Sequence, residues 1–512
     1  MTSPRNITAP SLAPVALLFL LFTLPACEVA VEGHHTGVET ATEGHEHTGD
    51  AQGESSSDWT PDHSHFEQCM HATQLNPLGR TDHVVHTHKP EKETSGSWPM
   101  VLGGPDKDNF RAMALDPEGR VIVAAEMRGE WQLGEELMTS TVLGGDTALA
   151  MSFDPDGTAG WGRVIGSVDG HTRVDALAVC PTGRVVMCGE KQKPLIHGDI
   201  NQEDGEHGVY IAEWKPDGTP SWLHTFEGKL ADVCGAMAIE QNFDLEQVGD
   251  TVAAFEQNGE IQLVRISYDG TLEYHVTHGH GLSLPAVRVS NIQGLALDGK
   301  GGIWVTGMFM GGTERSVGGE SFLPEGSSAI FLAKYDLETG AHLWSGAWGS
   351  HAHYGIVGYD EANAITVIDD RVIISGRSLP QINFGAGPLG PEPDGNKNIA
   401  FIAAFDLEGS PLWSLIPTNE ANGDSYYGVD LMKSEDNHLA VLTSANILRM
   451  DPTDGFLFAE KAITPGARAF LLDDEGMAVI GYSGYFDEIT LSGQQLTSAG
   501  GSDMALDRVE MP

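Results

Sequence analysis

The sequence predicts an all-β chain, a seven-bladed β-propeller built from four-stranded antiparallel blades, and three observations predict it. A unit of two hairpins recurs from Trp98 onward at intervals of about 45–70 residues, a period that means stacked or radially repeated units rather than separate domains. An aromatic residue opening the fourth strand of each unit appears seven times, at Trp98, Trp161, Trp222, Tyr274, Trp344, Trp413 and Phe458. The composition agrees: 63 glycines and 26 prolines supply turns, and 40% hydrophobic residues supply a core. Glycine and proline together stay below the roughly 25–30% at which a chain remains disordered. The formal net charge of −45 excludes a protein that works by gripping nucleic acid or an anionic lipid surface, since both need a positive face.

In chain order, the first element is an address. Arg5 precedes an apolar run from Leu12 to Leu24, followed by Pro25, Ala26 and Cys27. That run is too short for a permanent membrane helix, which needs about 20 residues, and reads as an export signal over residues 1–26. With Leu24, Ala26 and Cys27 at its end, the segment resembles a bacterial lipoprotein signal. The resemblance implies that Cys27 becomes the acylated first residue of the mature chain. It further implies a body tethered to a bilayer outside the cytoplasm, on the outer membrane or cell surface.

Residues 27–96 form the second element, rich in Thr, Gly, Ser, Glu and His, with little apolar periodicity. Such a composition cannot bury enough apolar surface to order itself, and it predicts a flexible tether with an end-to-end distance of about 45 Å. Ten of the 21 histidines lie here. His63, His65, Cys69 and His71 make one group, and His83, His86 and His88 a second. Imidazole and thiolate suit zinc or copper, but the spacing matches no structural zinc pattern and a hydrophilic linker has the same composition. Both readings stay open, and no other cofactor is expected.

The propeller, residues 97–512, is justified hairpin by hairpin. Ala112 to Ala125 reads as two strands around Asp-Pro-Glu-Gly, and Ala148 to Gly166 as two more around Asp-Pro-Asp-Gly. First hairpins recur at 176–189, 294–307 and 469–481, and second hairpins at 210–222, 330–344 and 401–413. Alternating strands bounded by Asp/Gly/Pro turns are hairpin signals. The seventh blade has a first hairpin and a third strand near Gly500 to Val509 but no fourth strand after it. Residues 97–104 (SWPMVLGG) supply that strand, so the ring closes by pairing the N-terminal strand with the C-terminal blade, which removes exposed edges.

The run Gly103 to Val123 carries Gly-Gly, Asp, a small-apolar strand and Asp-x-x-Gly before the next strand, and Leu295 to Phe309 carries the last two of these. In this they resemble the bacterial SBBP-type β-propeller repeat. The resemblance implies a secreted or surface propeller and assigns no activity, because a superfold does not dictate function.

In an up-and-down blade the first and third turns share one face, and the middle loop and the blade-to-blade crossing share the other. The first kind are tight here. The second kind are long: 126–146, 190–208, 308–328 and 377–398. Loops on a rigid scaffold carry function more often than tight turns, so a ligand site is expected on the long-loop face near the axis. Its candidate rim is Asp169, His171 and Arg173, then His351, His353 and Tyr354, then Asp424, Tyr426 and Tyr427. The tether joins at the tight-turn face, which turns the long-loop face away from the membrane.

No Gly-x-Ser-x-Gly, His-Glu-x-x-His or phosphate-binding glycine loop is present, and no catalytic residue is assigned. Of Cys69, Cys180, Cys188 and Cys234, the pair Cys188 and Cys234 lies at the end of blade 2's second strand and the start of blade 3's first, so a staple between neighbouring blades is one of three pairings. The functional expectation is a monomeric, membrane-tethered scaffold that binds a protein or glycan of the cell envelope. An extracytoplasmic hydrolase or lyase working over the central channel is the alternative, and metal capture by the tether a minor one.

Overall fold

The structure, a computed structural model, describes residues 98–512 apart from 143–144, 168, 203–204, 230–231, 241–248, 281–291, 311–313, 325–327, 351–359, 391–397, 418–427, 435, 474 and 501. Seven four-stranded antiparallel sheets succeed one another along the chain, and their first strands contact each other around a ring. The fold is the seven-bladed β-propeller that the repeats predict.

Blade 1 consists of Asn109–Leu115, Val121–Met127, Thr147–Phe153 and Ala159–Ile165. Blade 2 has Ala176–Val179, Val185–Gln192, His207–Trp214 and Pro220–Glu227. Blade 3 has Val233–Ile239, Thr251–Gln257, Glu260–Ile266 and Leu272–His278. Blade 4 has Ile292–Leu297, Gly302–Met310, Ser328–Asp336 and His342–Trp348. Blade 5 has Glu361–Ile368, Arg371–Ser378, Ile399–Asp406 and Pro411–Leu415. Blade 6 has Gly428–Lys433, Leu439–Thr443, Asn446–Met450 and Leu457–Ala462. Blade 7 takes Ala467–Leu472, Met477–Gly484 and Asp503–Glu510 from the end of the chain and Met100–Leu102 from its beginning. The closing register pairs Met100 with Leu506 and Leu102 with Met504.

Burial follows strand position. Second strands such as Val121–Met127 are buried throughout and are accordingly continuous apolar runs, as strands covered on both faces must be. Fourth strands lie at the rim, and Leu272–His278 is largely exposed. The core is a set of layers between blades: Tyr210 and Trp214 with Ile122 and Leu177 between blades 1 and 2, and Phe255 and Val264 with Val186 and Ile211 between blades 2 and 3. Each large side chain removed from water this way contributes about 1.5–3 kcal/mol.

Four of the seven fourth-strand aromatics are latches as well as packing. The Nε1–H of Trp98 donates to Pro155 O at 2.9 Å, that of Trp161 to Pro216 O at 3.1 Å, and that of Trp413 to Pro452 O at 3.1 Å. The Tyr274 hydroxyl does the same to Leu337 O at 3.2 Å. In every case the acceptor sits in the turn between third and fourth strands of the next blade. Phe458 of blade 6 has no such turn to meet, because the third and fourth strands of blade 7 are not consecutive in the chain, and it is 47% exposed.

Two further devices hold neighbours together. Asp360, before the first strand of blade 5, accepts from Ser350 N at 2.8 Å, Leu379 N at 3.0 Å and Ser378 Oγ at 2.6 Å. Asp108 and Asp232 take the same place in blades 1 and 3, accepting from Gly104 N and Arg128 N, and from Lys229 N and Asn258 N. Each carboxylate thus ties a crossing segment to the residue that follows a second strand. Cys188 and Cys234 form a disulfide with a Cα–Cα distance of 6.0 Å, inside the normal range, joining blades 2 and 3. Cys180 is a free, buried thiol.

The long middle segments lie over the outer strands rather than near the axis, where a ligand site is expected. In blades 1, 2 and 7 they fold into extra hairpins, Glu130–Leu133 with Glu136–Thr139, Leu195–His197 with Ile200–Gln202, and Glu488–Leu491 with Gln494–Thr497. These lean outward over the fourth strands. A Cβ placed on Gly162 would meet Leu133 Cδ2 at 2.7 Å and Met138 Sδ at 2.8 Å, and Leu195 is buried beside Trp161, Ile165 and Trp214. Blades 4 and 5 do likewise: Val317 O accepts the Tyr335 hydroxyl at 2.6 Å, and Phe384 packs against Trp348. The physical reason is that these segments carry apolar residues, which gain more by filling grooves between blades than by lining a wet channel. In blade 3 a tight Asn258-Gly259 turn with φ of 57° and 80° replaces the hairpin, as its left-handed geometry requires.

Candidate functional site at the channel mouth of blades 1 and 2

With the insertions turned outward, the mouth on the long-loop face is left to the ends of the inner strands and the crossings. Each inner strand is interrupted there by a bulge, with register shifts at Phe110/Ala112, Cys234/Ala236, Ile292/Gly294, Ala362/Ala364, Gly428/Asp430 and Ala467/Ala469. In blade 2 Asp175 takes the corresponding place, its N–H donating to Cys188 O at 2.9 Å beside the Ala176–Cys188 pair. A bulge leaves one residue out of the ladder and re-aims its side chain. The residues so released include Arg111 in blade 1 and Asp175 in blade 2.

Around these two a charged network is assembled from the ends of second strands and the crossing into blade 2. Arg111 donates to Glu126 Oε2 at 2.7 Å, and Asn109 Nδ2 to the same oxygen at 3.3 Å. Arg128 Nε donates to Asp146 Oδ1 at 2.5 Å. Arg173 Nε lies 3.4 Å from Asp146 Oδ2, an ion-pair distance without hydrogen-bond alignment, and its NH1 is 3.8 Å from Glu190 Oε2. His171 Nδ1 accepts the backbone N–H of Asp146 at 3.0 Å, which puts the ring proton on Nε2. Its 3.6 Å approach to the Asp146 carboxylate is therefore not an ion pair in this tautomer.

Burial raises the Asp146 carboxyl, but the hydrogen bond and charge of Arg128, with the charge of Arg173, hold it below the usual carboxylate range. Asp175 is the opposite case. Burial pushes it up to about 7, Arg111 and Arg173 pull it down, and Glu126 and Glu190 push it further up. The buried hydroxyl of Tyr210, on the third strand of blade 2, is raised well above its ordinary value by burial and then by Asp175 and Glu126. Four carboxylates thus share three guanidinium groups.

Several polar atoms of this cluster have no hydrogen-bond partner among the described residues: Arg111 Nε, Glu126 Oε1, Thr172 Oγ1, Asp175 Oδ2 and the Tyr210 hydroxyl. Glu126, Thr172 and Tyr210 are at most 2% exposed. Such groups cost about 1–3 kcal/mol each when left bare.

Of the rim expected from the sequence, His171 and Arg173 are brought together on Asp146, whereas Asp169 stands exposed without a hydrogen bond among the described residues. His351, His353, Tyr354, Asp424, Tyr426 and Tyr427 lie outside the described residues, as do Cys27 and His63, His65, Cys69, His71, His83, His86 and His88. Among the described residues no group of three or more His, Cys, Asp or Glu is placed to hold a metal. Sequence reasoning missed Arg111, Glu126, Asp175, Glu190 and Tyr210. A signal was present, since a glutamate follows the apolar run of the second strand in three consecutive blades, at Glu126, Glu190 and Glu256.

No family model matches the chain, and no curated protein does. Among solved structures it is similar to a protein of unknown function from Bacteroides caccae, with 9% identity over 53% of this chain and 78% of that one and a TM-score of 0.31. It is also similar to the structure of BBS1N in complex with ARL6DN, with 11% identity over 81% of this chain and 96% of that one and a TM-score of 0.40. The propeller assignment rests on the chain's own seven sheets.

Proposed function

We propose that this chain is a lipid-anchored extracytoplasmic binding protein, tethered through Cys27, whose propeller takes a component of the cell envelope at the mouth between blades 1 and 2. The observation that carries the binding role is the charged cluster at the inner-strand ends, in which Arg128, His171 and Arg173 stand about one-third exposed around Asp146. The lipoprotein-like segment ending at Cys27 and the SBBP-like hairpins support the cellular address. Two experiments test the two halves separately. Mass spectrometry of the mature N-terminus tests acylation, and Cys27→Ser is expected to move the protein from the membrane to the soluble fraction. Affinity capture from envelope extracts, with the Cys27→Ser chain as bait, is expected to retain a component that Arg111→Glu releases. Equal capture by both baits removes the blade 1–2 mouth from the binding role.

A second reading, a hydrolase or lyase, is favoured by one observation: a carboxyl near 7 beside two arginines is matched to proton transfer at neutral pH. Turnover of envelope polysaccharide that vanishes in Asp175→Asn would establish it.

A further inference from the structure

We infer that the blade 1–2 mouth is an oxyanion site, at which Arg128, Arg173 and His171 take one carboxylate, phosphate or sulfate group of a ligand. This rests on the binding role just proposed and specifies the chemistry of its ligand. The carboxylates of the cluster are covered: the side chains of Glu126, Asp146 and Glu190 are 6% exposed or less. Arg128, His171 and Arg173 are about one-third exposed and form the outer layer. Arg128 reaches Asp146 through Nε alone. The Arg173 side chain makes no hydrogen bond among the described residues, its Nε lying 3.4 Å from the other Asp146 oxygen. A guanidinium has five N–H donors, so the Nη1 and Nη2 hydrogens of both arginines lack hydrogen-bond partners among the described residues. None of these nitrogens is among the atoms sealed from solvent. His171, whose Nδ1 accepts from Asp146 N, adds its Nε2–H. A ligand therefore meets a layer of donors, two cations flanking one covered carboxylate and a ring N–H beside them.

That layer sorts ligands by charge and by hydrogen-bond sense. An oxyanion offers only acceptors, matched to the guanidinium fork, and such charge-assisted bonds are about twice as strong as neutral ones. A cation would face the guanidinium groups first and could reach their counter-carboxylates only by displacing them. A neutral hydroxyl compound would find donors for its oxygens but no acceptor in this layer for its hydrogens. An apolar ligand would strip water from two cations and return nothing. Asp169, the exposed acid of the same crossing, forms no ion pair with either arginine among the described residues. The covered charges balance the site without reversing it. Arg111 pairs with Glu126 at 2.7 Å, and Asp175, pushed up to about 7 by burial, carries less than a full charge at neutral pH. Asp146 and Glu190 then stand against Arg128 and Arg173, an even balance whose positive half faces solvent. The formal net charge of −45 repels an extended polyanion, whereas a single anionic group is screened from charges beyond about 8 Å at physiological ionic strength.

The test is saturation-transfer NMR and calorimetry on the full chain carrying Cys27→Ser. The probes are methyl phosphate, methyl sulfate, acetate and glucuronate, with neutral glucose and cationic ethylammonium at the same ionic strength. At least one anion is expected to bind saturably and more tightly than either comparison compound, and the order among the four tells phosphate, sulfate and carboxylate apart. Arg173→Met keeps the aliphatic stem and removes every side-chain donor. It is expected to weaken binding about tenfold or more, the scale of one hydrogen bond to a charged group, with an unchanged melting profile because the side chain holds no hydrogen bond in the fold. Arg128→Met is expected to weaken it as much. Lys300→Met removes a cation paired with Asp370 in a tight turn of blade 4 and is expected to leave the affinity unchanged. Failure of all four anions, preference for glucose or ethylammonium, or equal weakening by Lys300→Met and Arg173→Met overturns the inference. Loss of envelope capture in Arg111→Glu alongside a negative anion panel would leave the binding role standing and remove only the oxyanion.

Discussion

Replacing Asp175 by asparagine keeps its size and removes its charge, and the consequence for stability follows from its surroundings. In the folded chain the carboxyl is pushed up from 3.8 to about 7. The folded state therefore holds this proton more tightly than the unfolded one between about pH 4 and 7. With the folded value raised, the stability is fully present below the unfolded pKa and is lost as pH rises through the folded one. A displacement of roughly three pH units corresponds to an upper bound of about 4 kcal/mol at 1.36 kcal/mol per unit. The side chain is half-buried, so solvent screening brings the range to about 2–4 kcal/mol. An asparagine at this position never ionises and escapes this loss. For a propeller of about 400 residues the unfolding entropy is about 0.9 kcal/mol/K, so the gain in Tm amounts to about 2–5 °C. Differential scanning calorimetry of both proteins from pH 4 to pH 9 measures it as the change with pH in the difference between their Tm values. The Asp175→Asn protein is expected to gain on the wild type through pH 5–7 and level off above pH 8. A difference that runs the other way would refute the reasoning, because it would mean that Arg111 and Arg173 hold Asp175 ionised. A flat difference would place its titration outside this window.

Asp360→Ala leaves the N–H groups of Ser350 and Leu379 bare and is expected to cost about 2–6 kcal/mol in denaturant titration. Removing the disulfide with Cys188→Ser plus Cys234→Ser frees a loop with a sequence separation of 46 and should cost about 4 kcal/mol by loop entropy, read as a lower midpoint in urea. Trp161→Phe loses the bond to Pro216 O and is expected to cost about 1–2 kcal/mol. Phe458→Ala, at a junction without a latch, should cost less than Trp161→Ala in the same assay.

The ring was legible because each blade repeats the same local grammar. Asp-Pro-Glu-Gly and its relatives fix the turns, apolar runs such as Val121 to Ala125 fix the buried strands, and seven aromatics count the blades. The direction of the insertions was not legible. Trp131, Leu133 and Met138 look like loop residues until the fourth strand of blade 1 brings Gly162 beneath them. The site was half legible. His171 and Arg173 stand in a polar crossing where charge draws attention, whereas Arg111 and Asp175 sit inside or beside apolar inner strands. Their chemistry depends on a bulge, and a bulge has no residue signature when its extra member can be Arg, Asp or Gly. Tyr210 was hidden for another reason. It reads as a core aromatic and is one, except for an oxygen that feels the carboxylates of Asp175 on its own blade and Glu126 on blade 1.

The pairing of Met100–Leu102 with Asp503–Glu510 sets an order on how the molecule comes into being. A chain made from its N-terminus presents this short strand first, long before the strand it must meet exists. Six blades have all of their strands in hand while the ring is still open, and the last hydrogen bonds to form join some of the oldest residues of the propeller to the newest. Until then Met100–Leu102 has no partner strand, and closure waits on the last strand of the chain.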